Sequence, residues 1–295
     1  MLAPAINTLK PVRALAADYA IDCVSDRTFI TEGQPIEVDS SLCSSLPDEI
    51  WTEGNANSYQ AGVAGQYIHV ANGLLPDNLV CYAVYNTIGR EKASGALVGV
   101  SLRVSNIIKC EDSRYNPAWV GSNWDNVISF GNFSDYTQAF WLNYAESADV
   151  EYSFFYTDSP SETISLDNAL VSVSSLDSFY VGSIGGKLHE AVVLPDNIEK
   201  LYKTTDCVVS FNGMLSGRNT YSNVCYGNIN GTFGQWDSTY DLYNFSKHGF
   251  SWVNVGETIK LKFISLDGCF GTGITFQPIA NQIPESPIKE YSIER

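Results

Sequence analysis

The stretch from Ala96 to Ile108 constrains this chain more than any other. In Leu97-Val98-Gly99-Val100-Ser101-Leu102-Arg103-Val104-Ser105, the residues Val98, Val100, Leu102 and Val104 take every second position, and Gly99, Ser101, Arg103 and Ser105 the positions between. Successive side chains of an extended strand point to opposite sides. A period of two therefore predicts a strand with one face in a core and the other wet. Asp149 to Thr157 repeats the pattern, Val150, Tyr152, Phe154 and Tyr156 alternating with Glu151, Ser153, Phe155 and Thr157. The turn formers Asp158-Ser159-Pro160-Ser161 then lead into Thr163 to Leu166 as a hairpin partner. Near the end, Ile259, Leu261 and Phe263 alternate with Lys260 and Lys262, and Ile274 with Phe276 completes the pair.

Shorter extended runs surround these three. They are predicted at Tyr19 to Val24, Thr28 to Thr31, Ile36 to Val38, Gln66 to Val70, Leu79 to Tyr85, Leu170 to Val173, Leu188 to Leu194, Cys207 to Phe211, Thr220 to Tyr226 and Gly249 to Val253. Leu46-Pro47-Asp48-Glu49, Leu75-Pro76-Asp77-Asn78 and Leu194-Pro195-Asp196-Asn197 place Pro and Asp where a type I turn wants them. Leu46 to Gln66 and Glu111 to Asn126 read as loops, and Thr87 to Gly95 as a polar connector. Many short strands separated by turns, with no long helical period, predict an all-β fold: an antiparallel β-sandwich or jelly roll. The 17 Tyr and 14 Phe suit a pleated sheet.

Residues 17–280 form the expected β-sandwich head, with a subdivision allowed near 86–96. Residues 1–16 carry Lys10 and Arg13 and end in Ala14-Leu15-Ala16, a small-x-small triplet of the kind a signal peptidase cuts after, and are read as the remnant of an export signal. From Pro278 the composition turns to Pro and polar residues, so 281–295 reads as a linker. No stretch reaches the about 18 apolar residues a membrane span needs, so no membrane insertion is expected.

Lys and Arg number 17 against 33 Asp and Glu, a formal charge of −16. Binding to phosphate backbones or anionic lipid needs clustered cations, so the expectation is no nucleic acid and no membrane surface. The seven cysteines (Cys23, Cys43, Cys81, Cys110, Cys207, Cys225 and Cys269) contain no C-x-x-C pair, which excludes zinc ribbons and thioredoxin-like motifs. Asp237 to Asp241 and Asp22 to Asp26 lack the Gly and Glu of a calcium loop. No metal and no cofactor is expected.

A nucleophilic hydrolase needs an activated Ser or Cys beside an oriented His. His69, His189 and His248 occupy unrelated contexts, and Val181-Gly182-Ser183-Ile184-Gly185 lacks the glycine two before the serine of a nucleophile elbow. No carboxylate pair is marked out by its context as a glycosidase would require. Six tryptophans (Trp51, Trp119, Trp124, Trp141, Trp236 and Trp252) could stack on sugar rings, and most are expected in the core. Trp119, Trp124 and Trp236 lie in Asn/Gly/Ser-rich stretches and are the candidate ligand-binding residues.

The order of Val98-Gly99-Val100-Ser101-Leu102-Arg103-Val104-Ser105-Asn106, Ala139-Phe140-Trp141 ahead of Val150 to Tyr156, Val171 to Asp177, and Phe270 to Phe276 running into the Pro-rich segment resembles the head region of Gram-positive, wall-anchored surface proteins, the MSCRAMM-like adhesins. That resemblance implies a non-enzymatic, secreted domain at the cell wall that binds a host protein or a carbohydrate. It carries over no site residue. Val80-Cys81-Tyr82 and Thr137-Gln138-Ala139-Phe140-Trp141 are also similar to the two blocks of adhesin thioester domains, the second being one residue shorter than that pattern. The alternatives are accordingly a thioester-forming domain joining Cys81 to Gln138, with an intact mass short by one ammonia, or a glycan-active jelly-roll enzyme.

Overall fold

A computed structural model of the chain describes residues 20–24, 36–38, 41–42, 47–53, 59–61, 67–71, 78–109, 124–133, 137–142, 145–167, 169–174, 176, 178–181, 186–195, 198, 200–216, 220–227, 247–266 and 272–277. The strands, in chain order, are β1 (Ala20–Val24), β2 (Ile36–Val38), β3 (Glu49–Glu53), β4 (Tyr59–Ala61), β5 (Tyr67–Ala71), β6 (Val80–Glu91), β7 (Leu97–Lys109), β8 (Trp124–Phe133), β9 (Thr137–Leu142) and β10 (Ala145–Tyr156). They continue with β11 (Ser159–Ile164), β12 (Leu170–Ser174), β13 (Ser178–Val181), β14 (Gly186–Val193), β15 (Lys200–Thr204), β16 (Val209–Ser216), β17 (Thr220–Gly227), β18 (Phe250–Val253), β19 (Ile259–Leu266) and β20 (Thr272–Gln277).

Two sheets stack as a sandwich, as the alternating pattern predicts. The smaller runs β1-β15-β18-β12-β20-β9-β8-β5-β4. The larger runs β16-β17-β14-β19-β10-β7-β6-β2, with β3 beside β6, β11 beside β10 and β13 beside β14. Pairing is antiparallel among the described strands except between β1 and β15, which run parallel.

Alternation decides what each strand buries. Val98, Val100, Leu102 and Val104 of β7 are at most 1% exposed, as are Val150, Tyr152 and Phe154 of β10. They share one core with Ala83 and Tyr85 of β6 and Ile259 and Phe263 of β19. The smaller sheet faces them with Val171 and Val173 of β12, Leu201 of β15, and Phe250 and Trp252 of β18. Phe211 of β16 meets Phe250 edge-on at 5.3 Å, an aromatic contact that crosses between the sheets.

Three asparagines with positive φ, Asn106 (49°), Asn212 (52°) and Asn223 (57°), sit where the pairing registers of β7/β10 and β16/β17 slip. Asparagine tolerates the left-handed region better than other non-glycine residues, which suits it to the extra residue of a bulge.

Several local expectations differ from the structure. Thr87 to Gly95 is not a free connector: β6 runs on to Glu91, and Lys92 to Gly95 close a hairpin into β7. Glu91 N donates to Ala96 O at 2.9 Å and Gly95, at φ +75°, donates back to Glu91 O at 2.7 Å. Residues 86–96, where a subdivision was allowed, are thus the end of one strand and its turn into a neighbour in the same sheet. The loop expected over Leu46 to Gln66 contains β3 and β4, and the one over Glu111 to Asn126 ends in β8, which starts at Trp124. Nothing in composition marked β13 or β15, which are short and take their partners from elsewhere in the chain. Residues 1–16, 281–295 and Thr28 to Thr31 lie outside the described residues. No helix among the described residues is long and apolar enough to cross a membrane.

Burial also sets a pH response. Desolvation raises the Cys81 thiol from 9.0 to about 12, and raises Cys225 and the Tyr152 hydroxyl as well. A folded-state pKa above the unfolded one means stability that is complete below pH about 9 and is lost as pH rises towards 12. For Cys81 the three-unit difference corresponds to about 4 kcal/mol over that window. Denaturant melts at stepped pH should show stability falling above pH about 9, with a shallower slope in Cys81→Ala.

Candidate functional site

On its second face the larger sheet buries a small cluster of Ala191, Tyr221, Val224 and Ile264, and beside that cluster register places one row of side chains straight across five strands. Trp51 of β3 lies opposite Tyr82 of β6, Tyr82 opposite Arg103 of β7, Arg103 opposite Glu151 of β10, and Glu151 opposite Lys260 of β19. Each of the five sits between core-facing neighbours on its own strand or, for Trp51, between half-buried Ile50 and Thr52, so the alternation that builds the core also raises this row. Four interstrand steps make the row about 19 Å long.

At one end is an aromatic platform. Trp51, 40% exposed, stacks on Tyr82 with ring centroids 4.9 Å apart and planes 9° from parallel. The Tyr82 hydroxyl donates to Glu53 Oε1 at 2.9 Å and accepts from Arg103 Nε at 3.3 Å. Arg103 also donates from a terminal nitrogen to Ser105 Oγ at 3.1 Å. The guanidinium is therefore held by two hydroxyls, and two of its five N–H groups are engaged. Among the described residues Arg103 makes no ion pair with a carboxylate.

The other end is polar. Glu151 Oε1 accepts from Thr258 Oγ1 at 3.1 Å and meets Lys260 Nζ at 3.3 Å. One step along the strands, Asp149 meets Lys262 Nζ at 2.5 Å and accepts from Asn106 Nδ2 at 2.6 Å. Both ion pairs are partly solvated, and each adds at most about 1 kcal/mol to stability. Their effect is to hold donors and acceptors in place on this face.

Of the residues singled out from sequence, those among the described residues are not members of this row. Trp119 and Trp236 are outside the described residues. Trp124 opens β8 opposite Ala71, in the smaller sheet, so it belongs to a strand and not to a loop. Cys81 is fully buried on β6 between Thr52 and Val104, in the larger sheet. Gln138 is on β9 between Asn132 and Phe276, in the smaller one. The thioester pair is thus distributed over the two sheets. His69 is on β5, His189 on β14 and His248 just before β18, in three separate elements. No group of three or more His, Cys, Asp and Glu is placed to hold a metal among the described residues.

From the sequence Trp51 reads as a possible anchor of the loop-like stretch Leu46 to Gln66 and not as a ligand-binding candidate. The signal was present in Glu49-Ile50-Trp51-Thr52-Glu53, where a large aromatic shares a strand face with two carboxylates. An apolar residue flanked that way points to water.

No protein-family model matches the chain, and no curated protein sequence matches it. Among solved structures, the fold is similar to the N-terminal domain of the Streptococcus gordonii adhesin Sgo0707, at a TM-score of 0.52 and 10% identity over 90% of this chain and 67% of that one. It is also similar to the Glucan Binding Protein C of Streptococcus mutans, at 0.51 and 14% identity over 90% and 82%. The adhesin domain of PrgB from Enterococcus faecalis, solved bound to DNA, overlaps at 0.45 and 12% identity over 89% and 97%. At such identities the likeness is one of fold: this chain has the sandwich found in streptococcal adhesin domains.

Proposed function

We propose that this chain is the head domain of a bacterial surface adhesin, acting outside the cell without catalysis, and that it binds a glycan on the outer face of its larger sheet at Trp51 and Tyr82. The observation that carries this reading is the exposed Trp51 ring, stacked on a Tyr82 that hydrogen bonds hold in place. An aromatic plane offers the apolar C–H face of a sugar a desolvated surface, and the flanking charged groups take its hydroxyls. The shared fold with a protein named as glucan-binding agrees with a carbohydrate ligand. A thioester or a hydrolytic site has no comparable observation behind it among the described residues.

A glycan array on the wild-type chain, followed by titration of the strongest ligand, tests it. Trp51→Ala should weaken binding at least about tenfold, since aromatic anchors dominate such contacts. Its thermal midpoint should barely change, because a ring 40% exposed adds little to the core. Tyr82→Phe keeps the ring but releases Glu53 and Arg103, so a smaller loss is expected. Unaltered affinity in Trp51→Ala would remove the platform from the binding site.

A further inference from the structure

We infer that the ligand is an extended, uncharged polysaccharide segment, and that it runs across the strands from Trp51 to Lys260 with about four pyranose rings in contact. This deepens the reading of Trp51 and Tyr82 as a sugar platform and rests on it.

Three observations carry the inference. The first is length. The row of Trp51, Tyr82, Arg103, Glu151 and Lys260 is continuous in register over five strands, and its about 19 Å matches four rings of roughly 5 Å each. An internal stretch of polymer can lie along such a row without presenting a chain end. The second is charge. Arg103, Lys260 and Lys262 share this face with Glu49, Glu53, Glu151 and Asp149, three cations against four carboxylates, so it is close to neutral although the chain as a whole carries −16. A face close to neutral inside an acidic field has little to attract a polyanion or a polycation, whereas a polyol needs no net charge.

The third is the order of donors and acceptors. Past the two aromatic rings the row presents a guanidinium with N–H groups to spare, then a carboxylate, then an ammonium. Neighbouring sugar hydroxyls both donate and accept, so each can meet one of these groups in turn. Stacking therefore anchors the rings at Trp51, and hydrogen bonds to Arg103, Glu151 and Lys260 hold those that follow.

The test is calorimetric titration of the full chain with neutral glucose oligosaccharides of increasing length, alongside hyaluronan oligosaccharides and heparin as anionic probes. Affinity should rise about tenfold from two rings to four and then level off. Raising salt from about 50 to about 300 mM should change it less than about twofold. The double variant Glu151→Met/Lys260→Met, which removes both partners of a partly solvated ion pair and should fold normally, is expected to bring the four-ring affinity down to that of the two-ring ligand. Equal affinity for two and four rings, a preference for the anionic probes that salt abolishes, or no effect of the double variant would overturn the extended neutral chain. If Trp51→Ala still abolishes binding in any of those cases, the platform stands. Failure of every probe, neutral and anionic, would sink both readings.

Discussion

Trp252→Ala is expected to lower the melting temperature by roughly 10 °C, the largest effect of any single truncation among the described residues. Trp252 is fully buried and is the largest fully buried side chain among the described residues. On β18 it lies in register between Leu201 of β15 and Val171 of β12, so three apolar side chains of the smaller sheet meet the larger one side by side. Phe250, two residues earlier on the same face, packs against it at 5.9 Å, and Phe250 in turn touches Phe211 from the opposite sheet. Removing the indole leaves a cavity at the seam of the sandwich, where two sheets of fixed backbone cannot collapse to fill it. A loss of about 3–5 kcal/mol follows. Trp252→Phe, which refills most of the space, should lose much less. Differential scanning calorimetry of the three proteins would decide, and a shift under about 2 °C for the alanine variant would show that Trp252 does not pack between the sheets.

Gly99→Ala should destabilise by about 1–3 kcal/mol, although the residue lies on the outward face of β7. The side chain of Phe155, paired across from it on β10, folds over Gly99 and is only 8% exposed. A methyl group at Gly99 would sit 2.4 Å from Phe155 Cζ and 2.6 Å from the backbone oxygen of Asn86. The ring can swing away, but the carbonyl belongs to β6 and moves only if the hairpin does. The cycle of Gly99→Ala, Phe155→Ala and both together separates the two: relief by Phe155→Ala measures the ring, and the penalty that persists measures the backbone. Urea unfolding of the four proteins reads both terms, and an alanine variant as stable as wild type would mean that the strands lie further apart than described here.

The Gly99 case also shows where pattern reading stops. Alternation in β7 and β10 identified the inward residues correctly, since Val98, Val100, Leu102, Val104, Val150, Tyr152 and Phe154 are all in the core. It treated the opposite face as uniformly wet. Phe155 covers Gly99 there, and Arg103 lies over Tyr82 and Ser105, because side chains on neighbouring strands stand close enough to shield one another. Likewise β3 was hidden in a stretch rich in Gly, Asn and Ser, and β6 continued through Thr87 to Glu91, where polar residues are tolerated because pairing with β7 and β2 satisfies the backbone. The parallel pairing of β1 with β15 joins segments with no local signal that they meet.

By itself, then, the sequence determined that the fold class is all-β, which residues of its clearest strands face inward, and that its charge is strongly acidic. Those are consequences of local geometry: a period of two in side-chain direction and a sum over ionisable groups. Only the tertiary structure decided that Trp51, Tyr82, Arg103, Glu151 and Lys260 stand in one line. Register between strands distant in the chain depends on how two whole sheets bury their inner faces together, and no stretch of residues carries that information alone.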